Sequence, residues 1–157
     1  YLNGNIQPRD EGFAITRQLY ALDDKAGSTP LTKAKAGDLV REHLTIVVPV
    51  ERRSVQIEDF IPAGLEIVDL SLATESKDLR FNQIVVKAPE IYPDFKEIRD
   101  DRAYIFTSRL APGVYEFDYY LRALVPGSYS QLPAIVSEMY TPENFGRTGS
   151  AIFQVTN

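Results

Sequence analysis

Three acidic residues, Glu97, Asp100 and Asp101, crowd into the segment Glu97-Ile-Arg-Asp-Asp-Arg102. Clustered carboxylates are what a hard divalent cation or a glycosidase acid pair requires. Arg99 and Arg102 interleave with them, however, so the segment reads as an ion-paired lead into the following strand. Exposed pairs of this kind contribute only about 0–1 kcal/mol each. The single histidine, His43, has no cysteine to activate, since the chain contains none. Its strand position offers no serine partner either, so a solvated, non-catalytic histidine is expected. Gly113 and Gly127 each follow a proline singly, which makes turns and not a phosphate-cradling array. No catalytic residue, metal ligand set or cofactor-binding motif emerges, and the chain reads as a non-enzyme.

What remains is aromatic. Nine tyrosines and eight phenylalanines accompany no tryptophan. Most should be core, whereas Tyr129, Tyr140 and Phe145 lie in turn-rich sequence where alternation assigns no face. A tyrosine at a tip offers apolar area and a hydroxyl together, which suits contact with a partner.

The elements that would position these residues alternate at period two, as half-buried strands do. From Gly113 to Val125 one parity carries Tyr115, Phe117, Tyr119, Leu121, Ala123 and Val125, the predicted core face. Leu44, Ile46, Val48 and Val50 share a face in Leu39–Val50, opposite Arg41, His43 and Thr45. Phe13–Leu22, Val55–Ile61, Leu65–Leu70, Ala103–Leu110 and Ala151–Thr156 bring the set to about seven strands, with Ser130–Met139 as a further candidate. That pattern predicts an all-β fold, an antiparallel β-sandwich. Pro62-Ala-Gly64, Ala111-Pro-Gly113 and Val125-Pro-Gly127 supply turns, and Pro49 and Pro133 mark strand ends, edges or bulges. Residues 71–101 fit least well, and a short helical turn or an extra edge strand is expected there.

Composition bounds the function. At 157 residues the chain suits one domain, long enough to bury roughly two-thirds of its unfolded surface. Its formal net charge of −5 and scattered Lys and Arg argue against a nucleic-acid partner. The longest apolar run, Leu44–Val50, is too short to span a membrane. Residues 1–10 lack the features of a signal peptide and read as a linker or a frayed start.

Several stretches carry a resemblance. Asp94-Phe-Lys-Glu-Ile-Arg-Asp-Asp-Arg-Ala-Tyr104, Tyr119-Tyr-Leu-Arg-Ala-Leu-Val-Pro-Gly-Ser-Tyr129, Leu132-Pro-Ala and Glu138-Met-Tyr-Thr-Pro-Glu143, followed by Gly146-Arg147, resemble in order and spacing the C-terminal domain of bacterial alpha-2-macroglobulins. Phe13–Tyr20 and Asp59-Phe-Ile-Pro-Ala-Gly-Leu-Glu66 are similar to the early strands of the same domain. The resemblance implies a macroglobulin-like sandwich, akin to fibronectin type III, over residues 1–157. It would be a non-catalytic C-terminal module of a large periplasmic protease trap anchored to the inner membrane as a lipoprotein. In such proteins a Cys-Gln thioester in a separate domain captures the attacking protease. The implied partners are that thioester domain, neighbouring macroglobulin domains and, through the whole parent, target proteases. The family's last domain covers the reactive bond with a Met-Tyr pair, which Met139 and Tyr140 match. The residues by themselves leave open a second reading, a carbohydrate-binding or adhesin-like sandwich that stacks Tyr92, Tyr129 or Tyr140 on sugars.

Overall fold

The computed structural model describes residues 6–68, 85–87, 95–98 and 101–157. Fourteen strands and no helix occur among them. They are β1 (Arg9–Glu11), β2 (Ala14–Ala21), β3 (Lys33–Lys35), β4 (Leu39–Val48), β5 (Arg52–Phe60), β6 (Leu65–Ile67), β7 (Val85–Lys87), β8 (Phe95–Ile98), β9 (Arg102–Leu110), β10 (Gly113–Ala123), β11 (Gly127–Gln131), β12 (Ile135–Glu138), β13 (Thr141–Arg147) and β14 (Ala151–Thr156). One layer is the sheet β1-β13-β12-β5-β9-β8, and the other is β2-β4-β10-β6, with β7 also on β10. A smaller sheet, β11-β14-β3, adds Ala34, Phe153 and Val155 to the core. Pairing between these strands is antiparallel except between β14 and β3, and an isolated parallel bridge joins Gly12 to Phe145. The antiparallel sandwich expected from alternation is therefore the observed architecture.

Its strand count is double the expected seven, for identifiable reasons. Ser130–Met139 is two strands, because Leu132, Pro133 and Ala134 interrupt the run between β11 and β12, where Pro133 has no N–H to give a ladder. β13 reads Thr-Pro-Glu-Asn-Phe-Gly-Arg, and its Pro, Asn and Gly hide it from a propensity reading. β1 overlaps the end of the expected linker, residues 1–10, and pairs with β13, so residues 9–11 belong to the sheet. Within 71–101, β7 and β8 bear out the edge-strand expectation. The remainder of that stretch, with the expected helical turn, lies outside the described residues.

Two turns repeat one device. Ala111-Pro-Gly-Val-Tyr115 and Val125-Pro-Gly-Ser-Tyr129 share the pattern x-Pro-Gly-x-Tyr, with glycine φ values of 158° and 154°. In each the tyrosine hydroxyl donates back to the carbonyl four residues upstream, Tyr115 to Ala111 at 2.5 Å and Tyr129 to Val125 at 2.7 Å. Such a bond locks the corner at which the chain changes strand. Val125, placed on the core parity, is exposed instead, because β10 ends two residues earlier.

The apolar core takes Leu44, Ile46, Tyr115, Phe117 and Leu121 from one sheet and Val55, Ile57, Ile105 and Val136 from the other. A polar cluster sits within it. Arg17 on β2 reaches Asp59 on β5 at 2.7 Å and Glu42 on β4 at 3.6 Å, with its side chain only 3% exposed. Tyr119 donates to Asp59 from β10, and Gln131 donates to Glu42 at 2.9 Å. One cation thus faces two buried carboxylates. Burial, and next the charge of Asp59, push the Glu42 carboxyl well above the usual range, with Arg17 opposing. Burial thus disfavours the charged form of Glu42, while Arg17 lies nearer to Asp59 than to Glu42.

Two variants check this assignment by urea denaturation. Arg17→Met leaves Asp59 uncompensated and should cost about 3–5 kcal/mol. Glu42→Gln should be at least as stable as the parent chain at pH 8. A raised folded pKa confers stability that is full below the unfolded value and is lost as pH rises through the folded one, and glutamine removes that loss.

Candidate functional site

Strand connectivity gathers several turns at one end of the sandwich. β4 ends and β5 begins there, Leu110 at the end of β9 lies opposite Arg52, and Gly113 at the start of β10 lies opposite Val48. β12 runs antiparallel to β5 and finishes at Glu138 opposite Val55, so the β12–β13 turn emerges at the same end. Glu138 pairs with Thr141, which leaves Met139 and Tyr140 as the two residues of a tight turn. Tyr140 is 83% exposed and Met139 42%. Val47, Val50 and Val114 are exposed nearby in the chain topology. The two residues singled out by resemblance therefore form a projecting, largely apolar tip.

The base of the tip is polar and well tied. Glu138 Oε1 accepts from Arg52 Nη1 at 3.2 Å and from Asn144 Nδ2 at 2.8 Å, while Oε2 accepts from the Arg53 backbone N–H at 3.2 Å. Met139 N–H donates to the Ser54 carbonyl at 2.8 Å. Arg52 extends the tie by donating to the Gly12 carbonyl at 3.2 Å and lying over the Phe13 ring at 5.4 Å. Gly12 has φ 105°, and a Cβ there would stand 2.7 Å from Arg52 Nη2, so only glycine serves. Partial burial would raise the Glu138 carboxyl, but the bonds from Arg53, Asn144 and Arg52 outweigh it and hold the group below the usual range.

Other candidates fare differently. His43 lies on the outer face, as parity predicted, but it is half-buried and not solvated. Its Nδ1 contacts Asp118, and its Nε2 lies 3.2 Å from Thr45 Oγ1 and 3.4 Å from Glu116 Oε1. Arg41 joins Asp118 at 3.2 Å and stacks on Tyr20. The order Thr45–His43–Asp118 is that of a nucleophile, base and acid. Yet β4 is paired on both sides, by β2 and β10, so its own ladder N–H groups are engaged and supply no oxyanion donor to the array. Of the acidic segment, Arg102 pairs with Glu58, which lies outside it on β5, at 3.3 Å and with Asp101 at 3.8 Å. Glu97 and Asp100 side chains lie outside the described residues, as does Tyr92. Tyr129 is tied by its corner bond and packs on Gly64, where a Cβ would stand only 2.1 Å from its ring. That removes it from the sugar-stacking reading.

Arg52, Glu138 and Asn144 went unpredicted, since nothing local marks charges that meet across three strands. Arg17, Glu42 and Asp59 did leave a signal. Each occupies the apolar parity of its strand, beside Ile15, Leu44 and Ile57.

The lowered Glu138 pKa sets a pH test. Its contribution is present above the unfolded carboxylate value and is lost as pH falls through the folded one. The stability gap between the parent chain and Glu138→Gln should be about 1–3 kcal/mol at pH 7 and should narrow as pH falls below the ordinary carboxylate range, measured by denaturant titration.

The family model for the bacterial alpha-2-macroglobulin MG10 domain matches residues 12–143. An alpha-2-macroglobulin homolog of Nostoc sp. is 35% identical over 94% of this chain, which spans 8% of that relative. Circularly permutated Ras protein 2 of Dictyostelium discoideum is 32% identical over 88% of this chain, which spans 3% of its length. The structure of Salmonella alpha-2-macroglobulin reacted with methylamine aligns over 100% of this chain and 10% of that one, with a TM-score of 0.77 and 26% identity.

Proposed function

Because the chain belongs to the bacterial alpha-2-macroglobulin MG10 domain family, we propose that it is the non-catalytic C-terminal docking domain of a periplasmic protease trap, shielding a thioester held in another domain. Met139 and Tyr140 are the shielding residues. A thioester is a strong acyl donor, and water or small amines consume it unless apolar groups exclude them. A flexible Met beside a planar Tyr suits that task.

The observation that carries this reading is the tip itself: a two-residue turn that presents Tyr140 at 83% exposure on a rigid, charged base. Fully burying such a side chain is worth about 1.5–3 kcal/mol, a gain realised only against a partner surface. A relative solved after reaction with methylamine supports an amine-reactive group elsewhere in such proteins. Inhibition of proteases, periplasmic location and a lipoprotein anchor on the inner membrane complete the proposal as properties of the parent.

The test is made in the full-length parent. Replacing both Met139 and Tyr140 by Ala should speed reaction of its thioester with methylamine about tenfold or more, a loss of ~1.4 kcal/mol of protection. Unchanged release of the thiol would exclude the shielding role.

A further inference from the structure

A two-residue turn normally takes its orientation from the ladder that flanks it. Here the ladder is broken. Pairing between β12 and β13 jumps from Ser137 with Phe145 to Glu138 with Thr141, so Pro142, Glu143 and Asn144 are looped out on one side only. Pro142 has no N–H with which to restore the pairing. Something other than backbone register must fix the direction in which Met139 and Tyr140 point.

We propose that Glu138 is the positioning residue of the tip, with Arg52 and Asn144 as its two side-chain arms. Its carboxylate gathers donors from two elements at once, Arg52 Nη1 and the Arg53 N–H from β5 and Asn144 Nδ2 from the looped-out part of β13. It therefore closes the gap that the ladder leaves. Ser54 completes the arrangement. It is the one non-glycine residue with positive φ among those described, at 50°, a conformation that costs energy outside glycine, and its carbonyl receives the Met139 N–H. Arg52 is itself fixed from the far side by the Gly12 carbonyl. Both carboxylate oxygens are in use, so glutamine, with one oxygen replaced by an NH2 donor, cannot reproduce the set.

The functional consequence rests on the shielding role proposed above, but the positioning itself does not. Hydrogen exchange of the 157-residue chain reads it directly. In Glu138→Gln the amides of residues 138–141 should exchange about tenfold faster than the variant's global loss of stability accounts for, that loss being read from the slower-exchanging amides of β4 and β10. Asn144→Ala, which removes one arm and leaves the carboxylate and Arg52 in place, should give a smaller acceleration in the same segment. Unchanged exchange at 138–141 in both variants would overturn the proposal, as would an acceleration there no larger than that of β4 and β10, which marks general destabilisation alone. In the parent, Glu138→Gln should react with methylamine faster than the natural protein and more slowly than the Met139 and Tyr140 double variant. If local exchange accelerates while neither variant changes the methylamine reaction, positioning stands and shielding is the reading that fails.

Discussion

The buried pair between Arg17 and Asp59 ties the two layers of the sandwich together. Arg17 belongs to β2 and Asp59 to β5, on opposite sheets, and Tyr119 of β10 donates to the same carboxylate. Apolar faces attract without regard to direction, so Val55, Ile57, Leu44 and Ile46 would tolerate more than one rotation of sheet on sheet. A guanidinium 2.7 Å from a carboxylate that is 1% exposed does not. Each partner left alone would be an uncompensated buried charge, which penalises slipped arrangements strongly. Burial disfavours the charged form of Glu42, so the cluster holds a second carboxyl beside a single cation.

That constraint reaches the tip through β5. β12 pairs along β5 from Glu58 to Val55, so the strand that carries Asp59 in the core also carries Arg52 and Ser54 at its other end. The interior pair sets where β5 lies. Glu138 then sets where the turn points relative to β5. A mostly apolar, exposed tip is thereby mounted on a charged, hydrogen-bonded base, a combination suited to docking with little conformational entropy left to lose.

Alternation made most of the framework legible. β2, β4, β5, β9, β10 and β14 all fall where period two placed them, and the core parity of Tyr115 through Ala123 holds residue for residue. It failed where the backbone departs from the plain ladder. β13 contains a proline and a glycine, Ser130–Met139 hides a break at Pro133, and β1 has three exposed polar residues with no alternation to detect. His43 was assigned to the correct face, but parity says nothing of what lies on that face, and Asp118, Glu116 and Tyr20 come from two other strands to enclose it. Met139 and Tyr140 were found through resemblance, because composition alone left Tyr140 as one aromatic tip among several. The base beneath them depends on contacts between residues more than eighty positions apart, which no local pattern encodes.

The central claim is that Met139 and Tyr140 are covered by another domain while the parent is intact. Hydroxyl-radical footprinting of Tyr140 in the full-length protein, before and after methylamine treatment, addresses it most directly. The account predicts strong protection of Tyr140 in the untreated protein, relative to the free 157-residue chain, and release of that protection after treatment. Equal oxidation of Tyr140 in the free chain and in the untreated parent would contradict it.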